Sequence, residues 1–182
     1  MNSQSEKIEI TVNTLLYIIK KLNGSGDFHK VFKLLYFADQ KHLVKYGSAI
    51  TEDSYIAMNY GPVPSLAYDI LKSLRDSKPV DTIYGDVGSC FEILDKSIVH
   101  AKKEPDLDYL SVSEMACIDE AIDECKSLSF GGRTGKSHDK AWKATKRHGE
   151  MRLLDIASAA GAKKGMIAYI QESLENEKAS FE

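Results

Sequence analysis

Cysteine, proline and tryptophan are scarce in this chain, and long apolar runs are missing. Its 182 residues hold three cysteines, four prolines and one tryptophan. Cys90, Cys117 and Cys125 have neither the Cys-x-x-Cys pairing nor the spacing of a metal site. Cys117 and Cys125 fall on one expected helix, where eight residues separate them by about 12 Å along the axis. That is too far for a disulfide, so all three read as small buried hydrophobes in a reducing compartment. No aliphatic-aromatic run is longer than Leu15 to Ile19, which is far short of the ~20 residues that span a bilayer. Met1 to Lys7 is polar, is read as irregular, and carries no secretory signal pattern. A cytoplasmic location is expected, with no membrane contact. Strong charge of one sign is also missing: the formal net charge is −3, so bulk electrostatics do not mark a nucleic-acid binder.

What is present is the periodicity of a helical protein with enough chain for a real core, 43% hydrophobic and 28% charged. The strongest pattern runs through Lys33-Leu34-Leu35-Tyr36-Phe37-Ala38-Asp39. Asp27 offers an N-cap carboxylate and Gly47 a left-handed exit. Apolar residues occupy more than one face between them, which predicts a helix buried on several sides. Val12 to Leu22 predicts an amphipathic helix before it, stopped at Gly24-Ser25-Gly26. After it, Ile50 to Tyr60 alternates as an extended arm. Tyr60-Gly61-Pro62-Val63-Pro64-Ser65 then reads as a turn, with Pro64 at the first position of a third helix.

These residues together resemble a known family. Lys33-Leu34-Leu35-Tyr36-Phe37-Ala38-Asp39, His42-Leu43 and Tyr46-Gly47 precede Ile50-Thr51-x-Asp53-x-Tyr55-x-Ala57. Gly61-Pro62-Val63-Pro64-Ser65-x-x-Tyr68-Asp69 follows. The combined pattern is similar to the Panacea antitoxin domain, the group that includes the SocA-like antitoxins and the phage GepA-like proteins. Ser137-His138-x-x-x-Ala141-Trp142 resembles that family's C-terminal part. The resemblance implies a mostly helical protein that binds and neutralises a partner toxin, in a prokaryote or phage. The toxin is expected to belong to a translation-inhibiting class, and a cellular protease is a possible further partner. It implies no enzyme activity and no cofactor.

Further along, Val80 to Tyr84, Cys90 to Leu94 and Ile98 to Ala101 read as strands. With 55–60 they would make one small antiparallel sheet. Ser111-Val112-Ser113-Glu114 is a capping box that opens a helix with Met115, Ile118, Ala121, Ile122 and Cys125 inward. Leu153 to Glu177 predicts two helical pieces broken near Gly161. The expected fold is mainly α (α+β): one domain over 1–182, a compact bundle of about six to seven helices with a small antiparallel sheet. Its motif core is 27–69, its β region about 80–101, and its C-terminal helices 111–178.

The candidate chemistry is sparse. Gly131-Gly132-Arg133-Thr134-Gly135-Lys136-Ser137 imitates a phosphate loop, but its glycine spacing is wrong and no strand precedes it. It reads instead as a connector with Ser137 capping the next helix. Asp39 and His42 lie three apart and share a helix face. They could form an acid–base or metal pair, a polar hot spot, or a buried structural pair, and no third ligand is evident. A hydrolase built on them is the weakest functional reading, and no metal site is assigned. Tyr60, Pro62, Val63 and Tyr68, with Asp39 and His42, are the candidate partner-binding residues. A proline-stiffened turn loses little entropy on docking, and tyrosines are enriched at hot spots. From Arg133 to Arg152, seven basic residues face two acidic ones. Lys136, Lys140, Lys143 and Arg147 recur at helical spacing. A nucleic-acid-associated regulator using that basic helix, 136–147, is the alternative function.

Overall fold

The computed structural model describes residues 3–76 and 84–179. Helix α1 (Gln4–Lys21) starts inside the stretch read as irregular, because the Ser3 side chain accepts a hydrogen bond from the Glu6 N–H. A three-residue strand β1 (Ser25–Asp27) leads into α2 (Phe28–Tyr46). Helix α2 begins where the Asp27 carboxylate accepts from the Lys30 N–H at 2.8 Å. It ends at Gly47, whose φ of 80° is the left-handed conformation glycine adopts without a Cβ penalty. Val31, Leu35, Tyr36, Ala38 and Leu43 on this helix are wholly buried. Helix α2 is the core around which α1, α5 and α6 pack.

Strand β2 (Tyr55–Met58) pairs antiparallel with β3 (Gly61–Pro64) through a two-residue turn, Asn59-Tyr60. The proline-containing segment is therefore a strand rather than a turn. Val63 lies opposite Ile56, and the Ser65 N–H donates to the Ser54 carbonyl at 2.8 Å. Odd-numbered residues thus face β2 with their backbone groups, and Pro62 and Pro64 sit where a missing N–H costs nothing. Pro64 is the N-cap of α3 (Ser65–Arg75), one position before the one expected, and supplies no side-chain cap. Asp53 supplies it instead, its two oxygens accepting from the Leu66 and Ala67 N–H groups at 2.9 and 3.0 Å.

The expected single sheet is two sheets. Strands β4 (Phe91–Leu94) and β5 (Ile98–Ala101) form a hairpin extended by β1, in the order β1-β5-β4, while β2 and β3 pair separately. Of the expected strand Val80–Tyr84, residues 80–83 lie outside the described residues, and Tyr84 is in no strand. The segment before β4 turns through a short helix, α4 (Val87–Cys90).

A 3₁₀ turn (Leu107–Tyr109) precedes α5 (Val112–Cys125), which opens on the capping box: Ser111 accepts from Glu114 and Glu114 from the Ser111 N–H. Met115 and Ile122 are half-buried there; Cys117, Ile118, Ala121 and Cys125 are buried. The chain closes with α6 (Phe130–Ser137), α7 (Lys140–Ala144), α8 (Leu153–Ala159) and α9 (Lys164–Ala179), the last two separated at Gly161. The glycine-rich connector is thus a helix, and Ser137 ends it. Asp139 caps α7, accepting from the Trp142 N–H at 3.0 Å. The described residues hold nine α-helices against the six to seven expected, the excess being short pieces such as α4 and α7. The protein is mainly α with some β. No described helix is long and apolar enough to cross a membrane.

Candidate functional site

The two motif blocks meet at the tip of the β2–β3 hairpin. Lys33, on α2, is almost wholly buried, and its Nζ donates to the Pro62 carbonyl at 2.7 Å. This carbonyl belongs to an even-numbered residue and points away from β2, so without Lys33 it would be a buried acceptor left unpaired. From the other side, the Trp142 Nε1–H donates to the Met58 carbonyl at 3.0 Å, and the Arg147 Nε–H to Asn59 Oδ1 at 2.5 Å. The second edge of β2 is covered by 148–151: Ala57 N–H donates to Gly149, and His148 and Met151 N–H donate to Ala57 and Tyr55. Gly61, at φ 97°, presses against Ser137; a Cβ built there would lie 2.2 Å from Ser137 Oγ and 2.8 Å from Lys33 Cε.

The other motif residues brace this arrangement. Tyr36 Oη and Gln40 Nε2 each donate to Asp139 Oδ2 at 2.8 Å, tying α2 to the cap of α7. Asp39 is fully buried and accepts from the Ile50 N–H at 2.7 Å and Tyr55 Oη at 2.6 Å. Burial raises its pKa to about 7, against the opposing pull of those two donors. His42 shares no hydrogen bond with Asp39; its Nδ1 pairs with the Ser48 carbonyl at 2.8 Å. Of the six candidate partner-binding residues, Asp39, His42 and Pro62 are buried, and Val63 and Tyr68 half-buried. Tyr68 packs edge-on against Phe32. Tyr60 alone among the six is largely exposed, at 64%.

Tyr60 has company that the sequence pattern did not signal. Its ring meets Phe130, 47% exposed, at 5.6 Å, and Phe130 stacks on His29 at 3.8 Å. On the other side of the tip His138 and Trp142 stack at 3.7 Å, nearly parallel. Met58 is also exposed. Phe130 sits in a glycine-rich stretch without apolar periodicity, so only the tertiary packing reveals it. Among the described residues no three His, Cys, Asp or Glu side chains are grouped as metal ligands. A cavity of about 610 Å³ lies elsewhere, beside Tyr46, Gly47 and Tyr169, with both signs of charge on its rim.

The basic helix 136–147 is not one helix. Lys136 is on α6, bonded to Glu124 at 3.0 Å and lying over the Phe37 ring. Lys140 and Lys143 are on α7, and Arg147 lies beyond its end. The break at His138-Asp139, where Asp139 caps the new helix, removes the common stripe.

A family profile, Antitoxin SocA-like, Panacea domain, matches residues 31–143, well over half of the chain. The chain belongs to this family. Comparison with curated proteins and with solved structures returned no significant match. The Panacea match begins at Val31 in α2 and ends one residue past Trp142, so it spans both blocks that converge on the hairpin. In this member the signature residues Lys33, Tyr36, Asp39, Asp53, Tyr55 and Gly61 mostly hold the hairpin in place, and Tyr60 is what they present.

Lys33 gives the scaffold a pH signature. Burial lowers its pKa from 10.5 to about 7. Between those values the unfolded chain holds a proton that the folded protein has lost, so stability rises with pH there, by up to about 1.4 kcal/mol per unit. At lower pH the two largest shifts oppose each other. Asp39, raised from 3.8 to about 7, makes stability fall as pH rises through that window. His29, lowered by burial and then by Lys33 and Arg133 from 6.5 to about 4, makes it rise. The expected urea-midpoint profile is therefore shallow from pH 4 to 6.5 and climbs from pH 7 to about 9. Above that the buried cysteines and tyrosines, their ionisation delayed by burial, reverse it. Lys33→Met should abolish the climb. A wild-type profile that stays flat above pH 7 would contradict a neutral buried amine.

Proposed function

We propose that this Panacea protein is a non-enzymatic antitoxin that neutralises its toxin by direct contact through the hairpin tip. The supporting observation is the exposed pair of Tyr60, at the turn of a hairpin held by α2, α7 and the 148–151 segment, and Phe130, at the start of α6. Large aromatic rings on a support that is already ordered lose little entropy on docking. The partner is expected to be a toxin that attacks translation, and contact here would mask its active site or hold it in an inactive conformation. The antitoxin is expected to act in the cytoplasm as one domain, with handover to a protease as a possible consequence of binding.

Co-expression with the product of the adjacent gene should restore growth, and the two proteins should copurify. Tyr60→Ala should weaken that complex by about thirtyfold, the equivalent of a ~2 kcal/mol hot spot. Its thermal midpoint should stay unchanged, since most of the Tyr60 side chain is already in solvent. Full affinity in Tyr60→Ala and Phe130→Ala together would move the interface elsewhere. Turnover of a substrate by the purified protein, with no toxin encoded nearby, would remove the antitoxin reading altogether.

A further inference from the structure

Beside the hairpin, Trp142 also lines a second kind of site, open to solvent on one side. A cavity of about 410 Å³ is lined by Ala57, Asn59, Trp142, Lys143, Thr145 and Arg147. Its composition is selective. Its lining has one aromatic ring, one small apolar residue, an amide, a hydroxyl and two cations, and no carboxylate. From Lys140 to Gly149 the chain carries four basic residues and no acidic one. His138 stacks on Trp142 with an interplanar angle of 6°, and Trp142 lines the cavity while His138 does not. The indole is held by its bond to the Met58 carbonyl, and the Arg147 guanidinium by its bond to Asn59 Oδ1. That second bond uses the acceptor of the Asn59 amide and leaves its NH₂ as the donor on offer.

A planar ring, a nearby amide and a pair of cations are the complement of a nucleotide. We infer that this cavity binds a nucleotide unit, its base stacked on Trp142 and its phosphates between Lys143 and Arg147, either free or at the end of a single RNA strand. Base–aromatic stacking tolerates any base, and guanidinium and ammonium groups bind phosphate through charge-assisted hydrogen bonds. An acidic protein segment would satisfy the two cations but make no use of the aromatic ring. The inference is independent of protein docking at Tyr60 and Phe130 and stands if that docking fails.

Trp142 is the only tryptophan of the chain, so its fluorescence reports on the cavity directly. The full-length protein is titrated with ADP, with a six-nucleotide single-stranded RNA, with inorganic pyrophosphate and with a poly-glutamate peptide. Saturable quenching by ADP is expected, with pyrophosphate and poly-glutamate much weaker. RNA binding no tighter than ADP would assign the site to free nucleotides; tighter binding with a steep salt slope would assign it to a strand. Lys143→Glu and Arg147→Glu, both at exposed positions, should each lower ADP affinity by about tenfold or more, the scale of one lost charged hydrogen bond. Trp142→Leu, followed with a fluorescent ADP analogue, should lose roughly ten- to a hundredfold. If that variant fails to fold, the two charge reversals decide alone. Absence of saturable quenching, equal binding of pyrophosphate or poly-glutamate, or charge-reversal variants that bind ADP unchanged would each overturn the inference.

Discussion

Gly61→Ala is expected to destabilise the protein by about 2–6 kcal/mol, measured as a fall in the urea midpoint. Two contributions make up that range. A side chain at a φ of 97° strains the backbone by about 1–3 kcal/mol. The new methyl would also stand 2.2 Å from Ser137 Oγ and 2.8 Å from Lys33 Cε, and overpacking of a filled space costs about 1–3 kcal/mol. Ser137 is fully buried, so it has nowhere to withdraw. The pairing can be tested directly: Ser137→Ala removes the Oγ, so the double variant should be more stable than the sum of the single changes predicts. Strict additivity, or a Gly61→Ala midpoint equal to wild type, would mean that the hairpin does not lie against α6.

Leu35→Ala is the second large effect. Leu35 is wholly buried near the middle of α2, where core elements surround the helix, and truncation to alanine leaves a leucine-sized space. The expected loss is about 2–5 kcal/mol, toward the upper end if tight packing prevents the surroundings from collapsing into the gap. Equilibrium unfolding in urea measures it. A loss below about 0.5 kcal/mol, the scale of an ordinary surface change, would displace α2 from the centre of the fold.

The elements that were legible in the sequence are those whose signals are local. Asp27 and Gly47 bound α2 because a carboxylate beside the first free N–H groups, and a residue without Cβ at the exit, work over a single turn. Ser111 and Glu114 open α5 for the same reason. Strand β1 was hidden because Ser25 to Asp27 become a strand only by pairing with Ile98 to His100. Helix α6 was hidden by Gly131, Gly132 and Gly135, each costing about 1 kcal/mol relative to alanine. Its stability comes from the Ser129 cap, from Arg133 Nη1 donating to the Leu128 carbonyl, and from the contact of Thr134 and Phe130 with His29. The candidate site divides in the same way. Tyr60 stood out as a tyrosine beside a proline-rich segment, whereas Phe130 and the Trp142 cavity arise from contacts between distant parts of the chain.

That distance has a consequence for how the protein comes into being. Tyr36 on α2 bonds to Asp139 at the start of α7, and Met58 on the hairpin bonds to Trp142, so the surface at the tip is assembled from opposite ends of a long stretch of chain. During synthesis the hairpin leaves the ribosome first, and roughly 5–15 s of elongation pass before the residues that brace it emerge. Contacts of such separation also close slowly, because the loop entropy is lost before the bonds form. Throughout that interval the growing chain carries the motif residues from Lys33 to Gly61 but not Phe130 and Trp142 together, so the surface at the tip is incomplete. Its readiness is timed by the ribosome's passage beyond Trp142.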